Sequence, residues 1–146
     1  MIVDYLEKWD DRYLVLAAHV SHWSKDPSTQ TGAVIVSPRN RLVSLGFNGF
    51  PEGIADDERL ADRALKLELI THCEVNALVS AARDLHGCTL YTWPLLSCSR
   101  CASIMIQAGI TRAVAPLNTI ERWTENLKLS RKLFEEAGVE ILEVRS

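Results

Sequence analysis

HCEVNA (His72–Ala77) and SCSRC (Ser97–Cys101) decide how this chain is read. His72, Cys98 and Cys101 bring together one imidazole and two thiols. Such a set suits zinc, and three protein ligands leave the fourth tetrahedral position open to water. Zinc lowers the pKa of that water toward neutrality and makes it a nucleophile. Glu74, two residues beyond His72, is then placed to carry the proton. The gap between the stretches is long enough for a helix, a turn and a strand, so both stretches are expected to open helices.

Outward from His72, Thr71–Leu85 places Val75, Leu78, Val79, Ala82 and Leu85 on one helical face. Thr71 and Glu74 also fit a capping box, in which Glu74 merely satisfies a backbone amide. The downstream thiols favour the proton-carrier reading. His86-Gly87 ends the helix, Cys88–Trp93 reads as a strand, and Pro94–Ser97 turns into the next helix. Cys98 and Cys101, three apart, share one face of its first turn. Gly109 closes it. Arg112–Pro116 is a short strand, Ile120–Ala137 the last helix, and Val139–Val144 an edge strand that alternates.

Upstream, Asp10–Trp23 has helical spacing, with His19 and His22 as surface or partly buried histidines. Ser24–Gly32 is a long polar loop. Ala33–Ser37 and Arg41–Phe47 form a hairpin about Pro38–Asn40. Asn48–Gly53 breaks the pattern with glycines that permit close approach to a ligand. Ile54–Ile70 reads as a loose, charged helix without Cys or His, hence without a second metal. Met1–Tyr5 is a lead-in. The alternation predicts an α/β fold: a mixed five-stranded sheet between helix layers, in one domain spanning residues 1–146.

The 146 residues are 47% hydrophobic, with net charge -3 and pI near 5.8. No basic excess suits a polynucleotide backbone, so a small-molecule substrate is favoured over nucleic acid. No signal peptide or long apolar run points to a membrane. Cys73, Cys88, Cys98 and Cys101, with the CxxC pair, fit metal binding in a reducing compartment, and the cytoplasm is the expected location.

These motifs resemble the deoxycytidylate deaminase family of the cytidine deaminase-like superfamily. SKDPSTQTGAVIV, LGFNGFPEG, HCEVNA and LLSCSRCASIMIQAGI carry the resemblance. It implies a three-layer α/β/α fold and one Zn2+ per chain, held by His72, Cys98 and Cys101. It further implies hydrolytic deamination of dCMP to dUMP with release of ammonia, a step that supplies thymidylate synthesis. Glu74 would move protons between water, ring nitrogen and leaving amine. Asn48 matches the family residue that hydrogen-bonds the sugar, and the backbone amide of Cys73 would hold the pyrimidine carbonyl. Ser24 and Lys25 would touch the phosphate, although Lys25 reads equally as a solvated loop lysine. Trp123 would flank the base or sit in the core. Cys73 stands where the family usually has alanine, and Ser97 where it has proline; Ser97 is expected to cap the helix instead.

A homo-oligomer, a hexamer or smaller, is implied, with Trp9 and Trp23 on candidate interfaces. dCTP and dTTP are implied as effectors. Three alternatives remain open on the residues: a tRNA adenosine deaminase, a deaminase of another cytosine compound or nucleobase, and a non-catalytic zinc-binding module.

Overall fold

The computed structural model describes residues 1–146. Its strands are β1 (Ile2–Val3), β2 (Gly32–Val36), β3 (Leu42–Phe47), β4 (Thr89–Trp93), β5 (Arg112–Pro116) and β6 (Glu140–Val144). Its helices are α1 (Lys8–Ser21), α2 (Arg63–Leu69), α3 (Cys73–Ala81), α4 (Ser99–Ala108) and α5 (Thr124–Glu136), with 3-10 turns at Glu58–Ala61 and Glu121–Trp123. The strands form one sheet in the order β1-β6-β5-β4-β2-β3. β2 pairs antiparallel with both β3 and β4, while β4, β5, β6 and β1 run parallel. The parallel pairs β4–β5 and β5–β6 are joined by the helical crossovers α4 and α5, as their geometry requires.

Strand alternation separates the two faces. Val34 and Val36 of β2, with Tyr91 and Val114, pack against Leu14 and Ala17 of α1. Ala33, Ile35 and Leu90 turn the other way, onto Cys73 and Ala77 of α3 and Met105 of α4. Ala113, Ala115 and Ile141 meet Leu127 and Phe134 of α5 on that same side. The fold is therefore the three-layer α/β/α sandwich expected, with α1 alone covering one face. No helix is long and apolar enough to cross a membrane.

Glycine lets the layers approach closely at two points. A Cβ on Gly32 would lie 2.2 Å from Ala17 O, and one on Gly46 would lie 2.5 Å from Ala77 N and 2.6 Å from Cys73 O. All three atoms are main chain, so they cannot swing aside. Gly46 is what seats α3 directly on β3.

The sheet has six strands where the sequence suggests five. Ile2–Val3 pairs with Glu143–Val144, so β6 is not an edge. α3 starts at Cys73, because Thr71 is held extended by paired hydrogen bonds with Gly49 (Thr71 N to Gly49 O 2.8 Å, Gly49 N to Thr71 O 3.1 Å). It ends at Ala81, short of the expected Leu85, where Ala82 turns left-handed at φ 50. Leu85 is instead drawn into the core.

Candidate active site

Two helix starts converge beyond the end of β4. His72 occupies the capping position of α3 and Cys98 that of α4, with Cys101 in the first turn of α4. His72 Nδ1 lies 3.6 Å from Cys98 Sγ and 3.3 Å from Cys101 Sγ. All three ligand atoms lie within 4.8 Å of one another. Zinc bonds of ~2.3 Å to sulfur and ~2.05 Å to nitrogen, at a tetrahedral angle, place N and S about 3.6 Å apart. The donor set therefore fits zinc in both chemistry and spacing.

The electrostatics prepare the ligands. A hydrogen bond from Cys101, aided by His72, draws the Cys98 thiol down to about 4 against the cost of burial. Cys101, the donor of that bond, is pushed up, and burial adds to the effect. The hydrogen bond with Cys98 also raises His72, and the nearby Glu74 charge adds to it. A thiol favoured as thiolate beside an imidazole suits a bound cation.

Glu74 is buried beside this cluster, in the wall of a cavity that also contains His72, Cys73 and Cys98. Since the helix starts at Cys73 and not at Thr71, the capping box does not form, and Glu74 Oε1 accepts from Cys73 Sγ at 3.0 Å. Ser97 does not cap α4 either. Its hydroxyl is buried without a partner, while its carbonyl accepts from Ser130. Ser99 N instead donates to Asn126 Oδ1 at 2.9 Å.

These distances and the chain's similarity to known proteins agree. Residues 7–116 match the family described as "Cytidine and deoxycytidylate deaminase zinc-binding region". The chain belongs to that deaminase family. An uncharacterized deaminase of Aliivibrio fischeri, from the luxG 3′ region, is 42% identical over 139 residues, 93% of each chain. The deoxycytidylate deaminase of Mus musculus is 37% identical over 143 residues, 93% of this chain and 79% of that one. The crystal structure of a dCMP deaminase from the cyanophage S-TIM5 superposes with TM-score 0.76 at 20% identity, covering 96% of this chain and all of the other. That cyanophage protein has also been solved with dCMP and dUMP. Zinc is the deaminase's cofactor, and His72, Cys98 and Cys101 are arranged to take it.

The remaining walls come from three places. Asn48 follows β3, and its side chain is saturated as a donor: Nδ2 reaches Thr29 O at 2.9 Å and Asp26 Oδ2 at 3.3 Å. Its Oδ1 accepts from Thr31 N at 2.9 Å, leaving one lone pair. Toward a ligand Asn48 is thus an acceptor. Ser24 is buried behind it, its hydroxyl donating to Asn48 O at 2.8 Å. Lys25 turns to solvent and pairs with Asp56 at 3.2 Å. The structure brings neither Ser24 nor Lys25 to the cavity wall.

Cationic side chains enter instead from α2 and from the 3-10 turn Glu121–Trp123. Arg63, Lys66, Leu67 and Ile70 line the cavity at i, i+3, i+4 and i+7, one face of a helical stretch. Lys66 is neutralised by Asp26, but Arg63 has no protein ion pair. Arg122 also lines the cavity, beside Trp123, which both faces the cavity and packs on the core around Leu127. The i, i+3, i+4, i+7 spacing was the available signal for the first group; nothing local marks Arg122.

Proposed function

We propose that the protein hydrolytically deaminates dCMP, converting dCMP and water to dUMP and ammonia and so feeding thymidylate synthesis. The buried Glu74 carboxylate beside His72, Cys98 and Cys101 carries this reading, and the guanidiniums of Arg63 and Arg122 support the nucleotide over the nucleoside. Zinc held by the three ligands supplies Lewis acidity and brings water near ionisation at neutral pH. Glu74 accepts one proton from the attacking water and passes it to the ring nitrogen, where the product keeps it. It then takes the second proton from the newly added hydroxyl and delivers it to the departing amine. A single carboxylate suffices if it reaches both. Cys73, as the first residue of α3, has a main-chain N–H without a helical partner, suited to hold the pyrimidine carbonyl. Asn48, an acceptor, is matched to a sugar hydroxyl. Arg122 and Arg63 replace Ser24 and Lys25 as the phosphate-binding side chains; Ser24 supports the loop from behind.

The single domain of residues 1–146 carries all of this chemistry. It acts in the cytoplasm as a homo-oligomer, which half-exposed Trp9 and Trp23 suit, and dCTP and dTTP are its candidate effectors.

Steady-state kinetics on dCMP, CMP, deoxycytidine and dCTP test the reading, with dCTP and dTTP also added as effectors. Loss of the phosphate should lower kcat/KM at least ~10-fold, since each charge-assisted hydrogen bond is worth ~1.5–3 kcal/mol. Equal efficiency on deoxycytidine would transfer the protein to the nucleoside deaminases.

A further inference from the structure

Glu74 is 5% exposed, and one protein hydrogen bond reaches its carboxylate: Cys73 Sγ donates to Oε1 at 3.0 Å. Neighbouring residues on a helix do not normally face each other. Here they do, in the first turn of α3. Cys73 is itself 2% exposed, packed in the core that includes Ala33 and Ala77. An alanine would fill most of that space but would bring no donor. Oε2 receives no protein hydrogen bond, and it is not among the buried atoms left unpartnered.

We propose that Cys73 is a positioning residue for Glu74: its thiol holds Oε1, fixes the rotation of the carboxylate, and leaves Oε2 to carry the proton. The inference rests on the reading of Glu74 as proton carrier. A carboxylate free to rotate spends part of its time misdirected, and small misplacements at a reacting centre are costly in rate. Thiols are weak donors, so the effect is modest.

The S–H stretching region of the infrared spectrum reads this contact directly. In zinc-loaded protein the ligand thiolates contribute nothing, so Cys73 and Cys88 alone remain. The band deleted by Cys73→Ala should lie below the Cys88 band and rise in Glu74→Gln. In kinetics, Cys73→Ala should lower kcat by about 3–10-fold with KM for dCMP and zinc content unchanged, and Cys73→Ser should restore most of the loss. A Cys73 band unmoved by Glu74→Gln overturns the inference, and so does wild-type kcat in Cys73→Ala. Retained turnover in Glu74→Gln overturns instead the reading of Glu74 on which the inference stands.

Discussion

Lys66 Nζ lies 3.0 Å from Asp26 Oδ1, with both side chains closed off from solvent at 3% and 6% exposure. Asp26 also accepts from Ser28 N and Thr29 N, and Lys66 also donates to Ser28 Oγ. This pair ties α2 to the loop that holds Asn48. Lys66→Met leaves a buried carboxylate without a counter-charge, a change that typically costs ~3–5 kcal/mol. Urea unfolding should show a loss in that range, and dCMP turnover should fall with it. A change below ~1 kcal/mol would mean that water replaces the lysine.

Arg122 donates to Thr29 Oγ1 in the wall of the cavity. Its replacement by alanine should raise KM for dCMP at least ~10-fold, as expected for one lost charge-assisted contact. Any turnover of deoxycytidine should change little. Equal losses on both substrates would show that Arg122 merely shapes the loop.

Gly46→Ala places a methyl group against the main chain of α3 at Cys73 and Ala77. Overpacking of this kind costs about 1–3 kcal/mol, and the obstacle here is backbone. The displaced helix carries His72 and Glu74, so turnover should fall by up to ~100-fold. Thermal melting and kcat check both. A variant with wild-type values would disprove the close seating of α3.

Asp10, in the first turn of α1, is buried against the sheet, where Tyr91 donates to Oδ1 at 2.7 Å and Arg112 donates to both oxygens. Burial opposes the charge, but hydrogen bonds from Arg112 and Tyr91 outweigh it and hold the carboxyl below its ordinary 3.8. A carboxyl lowered by folding adds stability above its unfolded pKa and loses it as pH falls through the folded value. The contribution of Asp10 should thus survive down to 3.8 and disappear below it. In Arg112→Met burial is opposed by Tyr91 alone, so this acid-side loss should shrink or reverse. Melting temperatures followed from neutral to acid pH give the test, and identical pH profiles for the two proteins would refute it.

The zinc ligands were legible because their chemistry is specific and their spacing is local. CxxC at a helix start fixes two thiols on one face, and His72-x-Glu74 opens the neighbouring helix. The unbroken apolar run Ala33–Val36, rich in β-branched residues, made the buried β2 strand plain. Other features depended on partners far away in sequence. Ile2–Val3 is too short to show a period, and only its register with β6 makes it a strand. Ala82 sits among good helix formers, yet the pull of Leu85 into the core ends the helix there. Lys66 looks like any surface lysine until Asp26, 40 residues away, closes over it. Lys25 has the same composition signal and the opposite fate.

In neither α3 nor α4 does the side chain at the capping position hydrogen-bond the first turn, because those positions are His72 and Cys98 themselves. Two residues arranged to take zinc stand where Ser, Thr, Asp or Asn would otherwise cap. Chelation should therefore loosen these two turns before it loosens the sheet. Deuterium would enter the amides of 73–76 and 99–102 early, while those of β4 and β5 stay protected by their ladders. The exchange map of the stripped protein would then trace the outline of the catalytic centre without any substrate.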